Sequence, residues 1–175
     1  MQKKTGLIQI YYGMGKGKTT AAVGQLVRLC GRGGRAVYAQ FLKDGCSGEL
    51  QILDRLEGVT LCCGPTARGF FAAMSAEEQR ETAQNCLCRL EEAFAAARQA
   101  DLLVLDEVLD GLELGILPQD RLLALLEGRP EGLEVILTGH SLPARLADIA
   151  HYITCMENCR HPFQQGIAAR EGIEY

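Results

Sequence analysis

The stretch Leu7-Ile8-Gln9-Ile10-Tyr11-Tyr12 runs directly into Gly13-Met14-Gly15-Lys16-Gly17-Lys18-Thr19-Thr20, a strand-to-loop junction that points to an α/β architecture. The first half is rich in β-branched and aromatic residues and reads as a short strand. The second half spaces its glycines closely, so that backbone N–H groups can converge on an anion. A helix beginning near Lys18 adds its positive end to that site. In such a loop Lys18 reaches the β and γ phosphates of a nucleotide, Thr19 offers its hydroxyl to Mg2+, and Lys16 adds positive charge. The usual signature is Gly-x4-Gly-Lys-Thr. Its end is met by Gly17-Lys18-Thr19, whereas its first glycine falls on Tyr12. The alternative is a tight strand-to-helix turn with surface lysines, in which Gly-Lys-Gly-Lys-Thr-Thr would serve no packing purpose.

Outward from the loop, the helix continues through Ala21-Ala22-Val23 to about Cys30, and Gly31 and Gly33-Gly34 end it. Arg35 to Phe41 reads as the second strand. A loop holding Gly45, Cys46, Ser47 and Gly48 leads to a short helix from Glu49 to Leu56, and Val59 to Cys62 reads as a third strand. Gly64 to Ala73 is irregular. Ser75 with Glu78 makes a capping box, opening a helix that runs almost to Gln99. Leu87, Leu90, Phe94 and Ala97 form its core-facing stripe. Further on, Gln119–Leu126 reads as a helix, Leu133–Thr138 as a strand, Leu142–Ala147 as a short helix and His151–Cys155 as a last strand.

Leu102-Leu103-Val104-Leu105 is an uninterrupted apolar run, as expected of a central parallel strand covered on both faces, and it ends in Asp106-Glu107. Ligands of open α/β sheets bind at the carboxyl ends of the strands. One of these carboxylates could hold Mg2+, directly or through water, while the other orients a water or side chain. The plainer reading is that the pair ends a strand and caps the next segment. The alternation of elements predicts an α/β fold over residues 1–175. It is a single-domain, P-loop NTPase-like open sheet, mostly parallel, with helices on both faces and right-handed crossovers.

Composition narrows the partners. With 47% hydrophobic and 23% charged residues, a chain of 175 residues fits one globular domain. A net charge of -4 gives no general attraction to nucleic acid or anionic lipid, so affinity for phosphate must be local. No apolar run reaches the roughly 18 residues of a membrane span. Met1-Gln2-Lys3-Lys4 passes too quickly into a strand to be a signal peptide, and a cytoplasmic location is expected. Of the eight cysteines, Cys30, Cys62, Cys63, Cys86 and Cys88 lie in or beside apolar stretches and read as reduced packing residues. Cys155-x3-Cys159-x-His161 is the best metal-ligand pattern, although it lacks a partner CxxC and a fourth ligand.

Several blocks together resemble the P-loop corrinoid adenosyltransferases, the ATP:cob(I)alamin adenosyltransferases of the CobA/CobO/BtuR type. The loop from Tyr12 to Ala22 corresponds to the family form Thr-Gly-Asn-Gly-Lys-Gly-Lys-Thr-Thr-Ala-Ala. Next come Gln40-Phe41-Leu42-Lys43, Gly48-Glu49, Leu105-Asp106-Glu107, Arg129-Pro130 and Leu137-Thr138-Gly139-His140. The tail from His161-Pro162-Phe163 through Gly166-Ile167-Ala168-Ala169-Arg170-Glu171-Gly172-Ile173-Glu174-Tyr175 is the most specific block, and the resemblance spans Gly6 to Tyr175.

The resemblance implies that Co(I) of a reduced corrinoid, such as cobalamin or cobinamide, attacks C5' of ATP and releases triphosphate. ATP would lie reversed relative to ordinary P-loop enzymes, with Mg2+ or Mn2+, an electron-donor protein such as a flavodoxin or other flavoprotein, and a homodimer. By matching positions, the loop Gly13, Met14, Gly15, Lys16, Gly17, Lys18, Thr19 and Thr20 would hold the nucleotide. Lys18 and Glu107 would serve catalysis; Thr19 with Asp106 or Glu107 would hold the metal. Glu49 would contact ribose or a metal-bound water, or else begin a surface helix. Neither a nucleic acid nor a membrane is implied.

The family's Gly-Phe-x-Trp, whose aromatics pack on the corrin, reads Gly69-Phe70-Phe71-Ala72 here, and the chain has no Trp. Phe70 and Phe71 are the candidate corrinoid contacts; core packing is the alternative for both. The family's Thr-Gly-Arg becomes Thr138-Gly139-His140, its Ala-Asp-x-Val-Thr-Glu-Met becomes Ala150 to Met156 without either acid, and its Lys-His becomes Arg160-His161. No counterpart of the longer N-terminal arm of some members is expected. Two other classes stay open: a small nucleotide kinase or phosphotransferase, whose Arg-rich lid would rest on Arg68 and Arg80, and an ATP-dependent corrinoid carrier or regulator.

Overall fold

Alternation within the first strand, β1 (Ile8–Tyr12), buries Ile8 and Ile10 on one side of the sheet. The computed structural model describes residues 5–43, 45–65 and 71–173. After β1 the chain turns through the glycine loop into α1 (Lys18–Cys30), which buries Ala22 and Leu26 one turn apart and stops at Gly31. β2 (Ala36–Gln40) is buried along its whole length. α2 (Gly48–Leu53) ends earlier than the expected Leu56, because Arg55 and Leu56 donate to the carbonyls three residues back and tighten the chain into a turn.

β3 (Val59–Cys62) and a short 3-10 turn at Phe71–Ala73 precede α3 (Ala76–Ala96). The capping box forms as the sequence requires: Ser75 Oγ accepts from the Glu78 amide at 3.3 Å, and the Glu78 carboxylate accepts from the Ser75 amide at 2.7 Å. A 3-10 turn carries α3 on to Gln99. β4 (Leu102–Asp106), α4 (Val108–Glu113), α5 (Gln119–Glu127), β5 (Glu134–Gly139), α6 (Ala144–Ala147) and β6 (Tyr152–Cys155) follow, with a last 3-10 turn at Pro162–Gln165. α4 has no counterpart among the elements that the sequence predicts. It is six residues long with Gly111 inside it, which is too short for a periodic signal and poor in propensity.

The strands form one six-stranded sheet in the order β3-β2-β4-β5-β1-β6. Every neighbouring pair is parallel, which sharpens the expectation of a mostly parallel sheet. All strands therefore end at one edge. In register there, Gln40 lies beside Asp106 and Tyr12 beside Gly139. Alternate residues of the central strands feed two cores. Ile10, Val37, Leu103, Leu105 and Leu137 pack with Leu90 and Phe94 of α3 and Leu122 of α5. Tyr38, Val104 and Ile136 pack with Leu26 of α1 and Leu53 of α2 on the other face.

Cys86 is buried and Cys30, Cys62 and Cys63 are partly buried, in keeping with packing roles; burial also pushes the Cys63 thiol up to about 11. Cys88 departs from that expectation. It is exposed, since two steps along a helix carry a residue nearly to the opposite face from Cys86. Among the described residues, no three or more His, Cys, Asp or Glu side chains gather to hold a metal, so Cys155, Cys159 and His161 do not form such a cluster. No helix among the described residues is long and apolar enough to cross a membrane.

Candidate functional site

Tyr12 remains a strand residue, paired in register with Gly139 and Cys155, so the glycine loop begins only at Gly13. Gly13 and Gly17 both adopt φ 111°, a conformation that side chains with a Cβ rarely take. The chain just after β5 and just after β6 braces the loop from outside. Gly15 N donates to Met156 O at 2.7 Å, Gly13 N to His140 O at 3.1 Å, and Asn158 Nδ2 to Met14 O at 2.8 Å. The Met14 side chain itself is 71% exposed. Lys18 Nζ lies across the loop, donating to Gly13 O at 2.7 Å and Gly15 O at 3.0 Å. Lys16 Nζ reaches Ile173 O at 3.2 Å, which ties the loop to the C-terminal tail.

Behind the loop stands Asp106, buried at the end of β4. Its Oδ1 accepts from Thr19 Oγ1 at 2.9 Å and Thr138 Oγ1 at 2.8 Å. Its Oδ2 accepts from Tyr38 Oη at 3.0 Å and Lys43 Nζ at 3.4 Å. A buried carboxylate is tolerable only with such a complete set of donors. Glu107 follows with φ 61°, a left-handed backbone that costs a non-glycine residue roughly 1–2 kcal/mol. Its amide donates to Thr138 Oγ1 at 2.8 Å, which helps hold that turn. Leu42, two residues beyond the end of the neighbouring β2, is also left-handed, with φ 55°. The two turns bring Lys43 Nζ within 3.2 Å of Glu107 Oε1.

Charge and burial oppose each other here. Burial pushes the Glu107 carboxyl above its ordinary range; Lys43 works against that rise and Asp106 adds to it. Burial by itself would lower Lys43, but Asp106 and Glu107 outweigh it and hold the ammonium above its ordinary value. Tyr38 is driven far upward by burial and then by Asp106 and Glu49, so it stays a proton donor. A weaker polar chain extends the site: Gln40 Nε2 lies 3.5 Å from Glu49 Oε1, and Ser47 Oγ lies 3.4 Å from Gln40 Oε1.

These groups border a cleft of about 830 Å3, whose lining includes Thr19, Thr20, Lys43, Glu49, Glu107 and Ile173. The candidate residues Thr19, Asp106 and Glu107 thus come together, and Glu49 lines the same cleft. A threonine hydroxyl and carboxylates are hard oxygen donors, so the set fits Mg2+ or Mn2+. Phe71 is partly buried against the larger core, while Phe70 and Arg68 lie outside the described residues. His140, in the place of an arginine, is occupied by Asp110: its ring Nδ1 and its amide both contact Asp110 Oδ1, at 2.8 and 2.9 Å. Sequence reasoning assigned no site role to Tyr38, Gln40, Lys43 or Thr138. They lie in or just beyond the strands adjoining β4, and it is the register, which places Gln40 beside Asp106, that brings them to the site.

Comparison with known proteins supplies what geometry leaves open. The corrinoid adenosyltransferase CobA of Salmonella typhimurium is 30% identical over 175 residues, covering 99% of this chain and 88% of the relative. A corrinoid adenosyltransferase of Pseudomonas aeruginosa is 29% identical over 171 residues, covering 97% and 84%. One from Escherichia coli K12 is 29% identical over 175 residues, covering 99% and 88%. Residues 4–175 also match the family described as ATP:corrinoid adenosyltransferase BtuR/CobO/CobP. The chain belongs to this family of transferase enzymes.

Proposed function

We propose that the cleft beside the glycine loop binds ATP and presents its C5' carbon to the Co(I) centre of a reduced corrinoid. The cobalt supplies the electron pair of the new Co–C bond. The C5'–O bond breaks, and its electron pair leaves with inorganic triphosphate. The observation that carries this reading is the 2.9 Å hydrogen bond from Thr19 to Asp106, which joins the loop to the acidic strand end beside the cleft that Thr19 and Glu107 line.

Each residue has a task in this reading. Lys18, Lys16 and the positive end of α1 stabilise charge growing on the triphosphate. Gly13 through Thr20 shape the cradle. Asp106, already saturated by its donors, orients Thr19 instead of reaching the ligand itself. Glu107, with 28% of its side chain exposed, is the carboxylate that faces the cleft. A Mg2+ or Mn2+ ion at Thr19 and Glu107 supplies Lewis-acid stabilisation of the phosphate oxygens when bound. Glu49 borders the ribose end. Phe71, in the turn that follows β3 in the chain, is assigned with Phe70 to the corrinoid face by their match to the family's aromatic block. The same reading takes residues 1–175 as a single domain working as a cytoplasmic homodimer, with reducing equivalents delivered by a flavoprotein.

The test is an anaerobic incubation with ATP, Mg2+ and chemically reduced cob(I)alamin, following the light-sensitive Co–C product. Triphosphate released without ADP supports adenosyl transfer. ADP formation would point to a phosphotransferase, and tight binding without turnover to a carrier.

A further inference from the structure

Among the described residues that line the cleft, Lys43 is the cation that the glycine loop does not provide. Its ammonium lies 3.4 Å from Asp106 Oδ2 and 3.2 Å from Glu107 Oε1, bridging consecutive carboxylates at a buried strand end. Its side chain is 26% exposed and lines the same cleft as Thr19 and Thr20. The left-handed backbone at Leu42 and at Glu107 brings the pair together, so the contact is built into the fold at a conformational cost.

A divalent cation bound at Glu107 would sit about 2 Å from a carboxylate oxygen. The Lys43 ammonium, 3.2 Å from Oε1 of that carboxylate, would then be crowded against a second and larger positive charge. Its flexible four-carbon stem allows the ammonium to move while its base stays fixed. Within the cleft, the polyphosphate is the strongest alternative anion.

We infer that Lys43 is a charge-exchanging residue. It neutralises Asp106 and Glu107 in the open cleft, and it transfers its ammonium to the polyphosphate when a divalent cation takes over Glu107. This rests on the nucleotide reading of the cleft. It makes Lys43 a competitor of the metal alone and a partner of the metal–nucleotide pair, two effects of opposite sign.

The experiment compares the full chain with its Lys43→Gln and Lys43→Arg variants. Binding of Mn2+ alone is read by the loss of free-ion paramagnetic resonance, and binding of adenosine 5'-(β,γ-imido)triphosphate with Mg2+ by calorimetry. Lys43→Gln is expected to bind Mn2+ alone about 5-fold or more tighter and the nucleotide about 5-fold or more weaker, at the lower end of ordinary coupling between sites. Lys43→Arg, which keeps the charge and serves as the control for folding, is expected to stay close to the wild type in both. Unchanged or weaker Mn2+ binding by Lys43→Gln overturns the exchange, as does a simultaneous loss of both affinities. A wild-type chain that does not bind the nucleotide overturns the site reading itself, and the exchange with it.

Discussion

Thr19 Oγ1 donates to Asp106 Oδ1 at 2.9 Å across 87 residues of sequence, fastening the first turn of α1 to the carboxyl end of β4. The same oxygen accepts from Thr138 of β5, so a single carboxylate ties the loop, β4 and β5 together. Thr19→Ala removes one neutral donor and is expected to cost about 1 kcal/mol of stability. Asp106→Asn should cost more, about 2–3 kcal/mol, because its amide nitrogen would face the Tyr38 hydroxyl and Lys43 ammonium that now donate to Oδ2. Urea unfolding measures both. An Asp106→Asn chain as stable as the wild type would contradict this account of the buried carboxylate.

Lys18 separates function from folding. Among the described residues its ammonium donates only to loop carbonyls, at a partly exposed site, so Lys18→Ala should change stability by less than about 1 kcal/mol. Adenosyl transfer should fall by roughly 100-fold or more, as when a charge-stabilising donor is removed from a reaction centre. Initial rates of triphosphate release and a thermal melt on the same preparation decide it. Turnover close to wild type would remove Lys18 from the reaction.

How far the sequence discloses this site depends on which interactions are local. The strand–loop–helix junction at Tyr12–Lys18 and the apolar run ending at Asp106 carry their own signals, because strand propensity, glycine spacing and burial all act over a few residues. The Ser75–Glu78 capping box is equally local, and it forms. Lys43 is different. Its meeting with Glu107 needs a left-handed turn at Leu42, a residue type that announces no such turn, as well as the β2–β4 register. Tyr38 reads as an ordinary strand aromatic; only the placement of β2 beside β4 directs its hydroxyl to Asp106. α4 escapes notice because Gly111 weakens its propensity and tertiary packing of Val108 and Leu109 compensates.

Glu107 makes a prediction about pH. Burial raises its folded-state pKa above that of the unfolded chain, with Asp106 reinforcing the rise and Lys43 opposing it. The folded chain therefore holds this proton more tightly than the unfolded one. Its stabilising effect is complete below the unfolded pKa and is lost as pH rises through the raised folded pKa. Glu107→Gln, which cannot ionise, should be more stable than the wild type at neutral pH, and the difference should shrink as pH falls through that range. Melting temperatures of both chains from pH 7 down to pH 4 give the comparison. A variant less stable at pH 7 would mean that the Lys43 pair outweighs the cost of burying the charge.

The corrinoid face can be tested at Ala72. The side chain is exposed in the short turn Phe71–Ala73, next to a Phe71 ring anchored against the core. An aromatic placed there has room to extend outward and a neighbour to pack on. If this turn meets the corrin, Ala72→Trp adds one aromatic contact, worth about 0.5–1.5 kcal/mol, or roughly a 2- to 10-fold tighter complex. The measurement is the dissociation constant of cob(II)alamin in the presence of ATP, read from its visible spectrum, with the fraction of four-coordinate cobalt taken from the same titration. Tighter binding with more four-coordinate cobalt would place the turn against the lower cobalt face, where an apolar surface excludes water. Tighter binding without that spectral change would mean contact with the corrinoid away from the metal. An unchanged constant would remove the turn from the corrinoid site and leave Phe71 as a core residue.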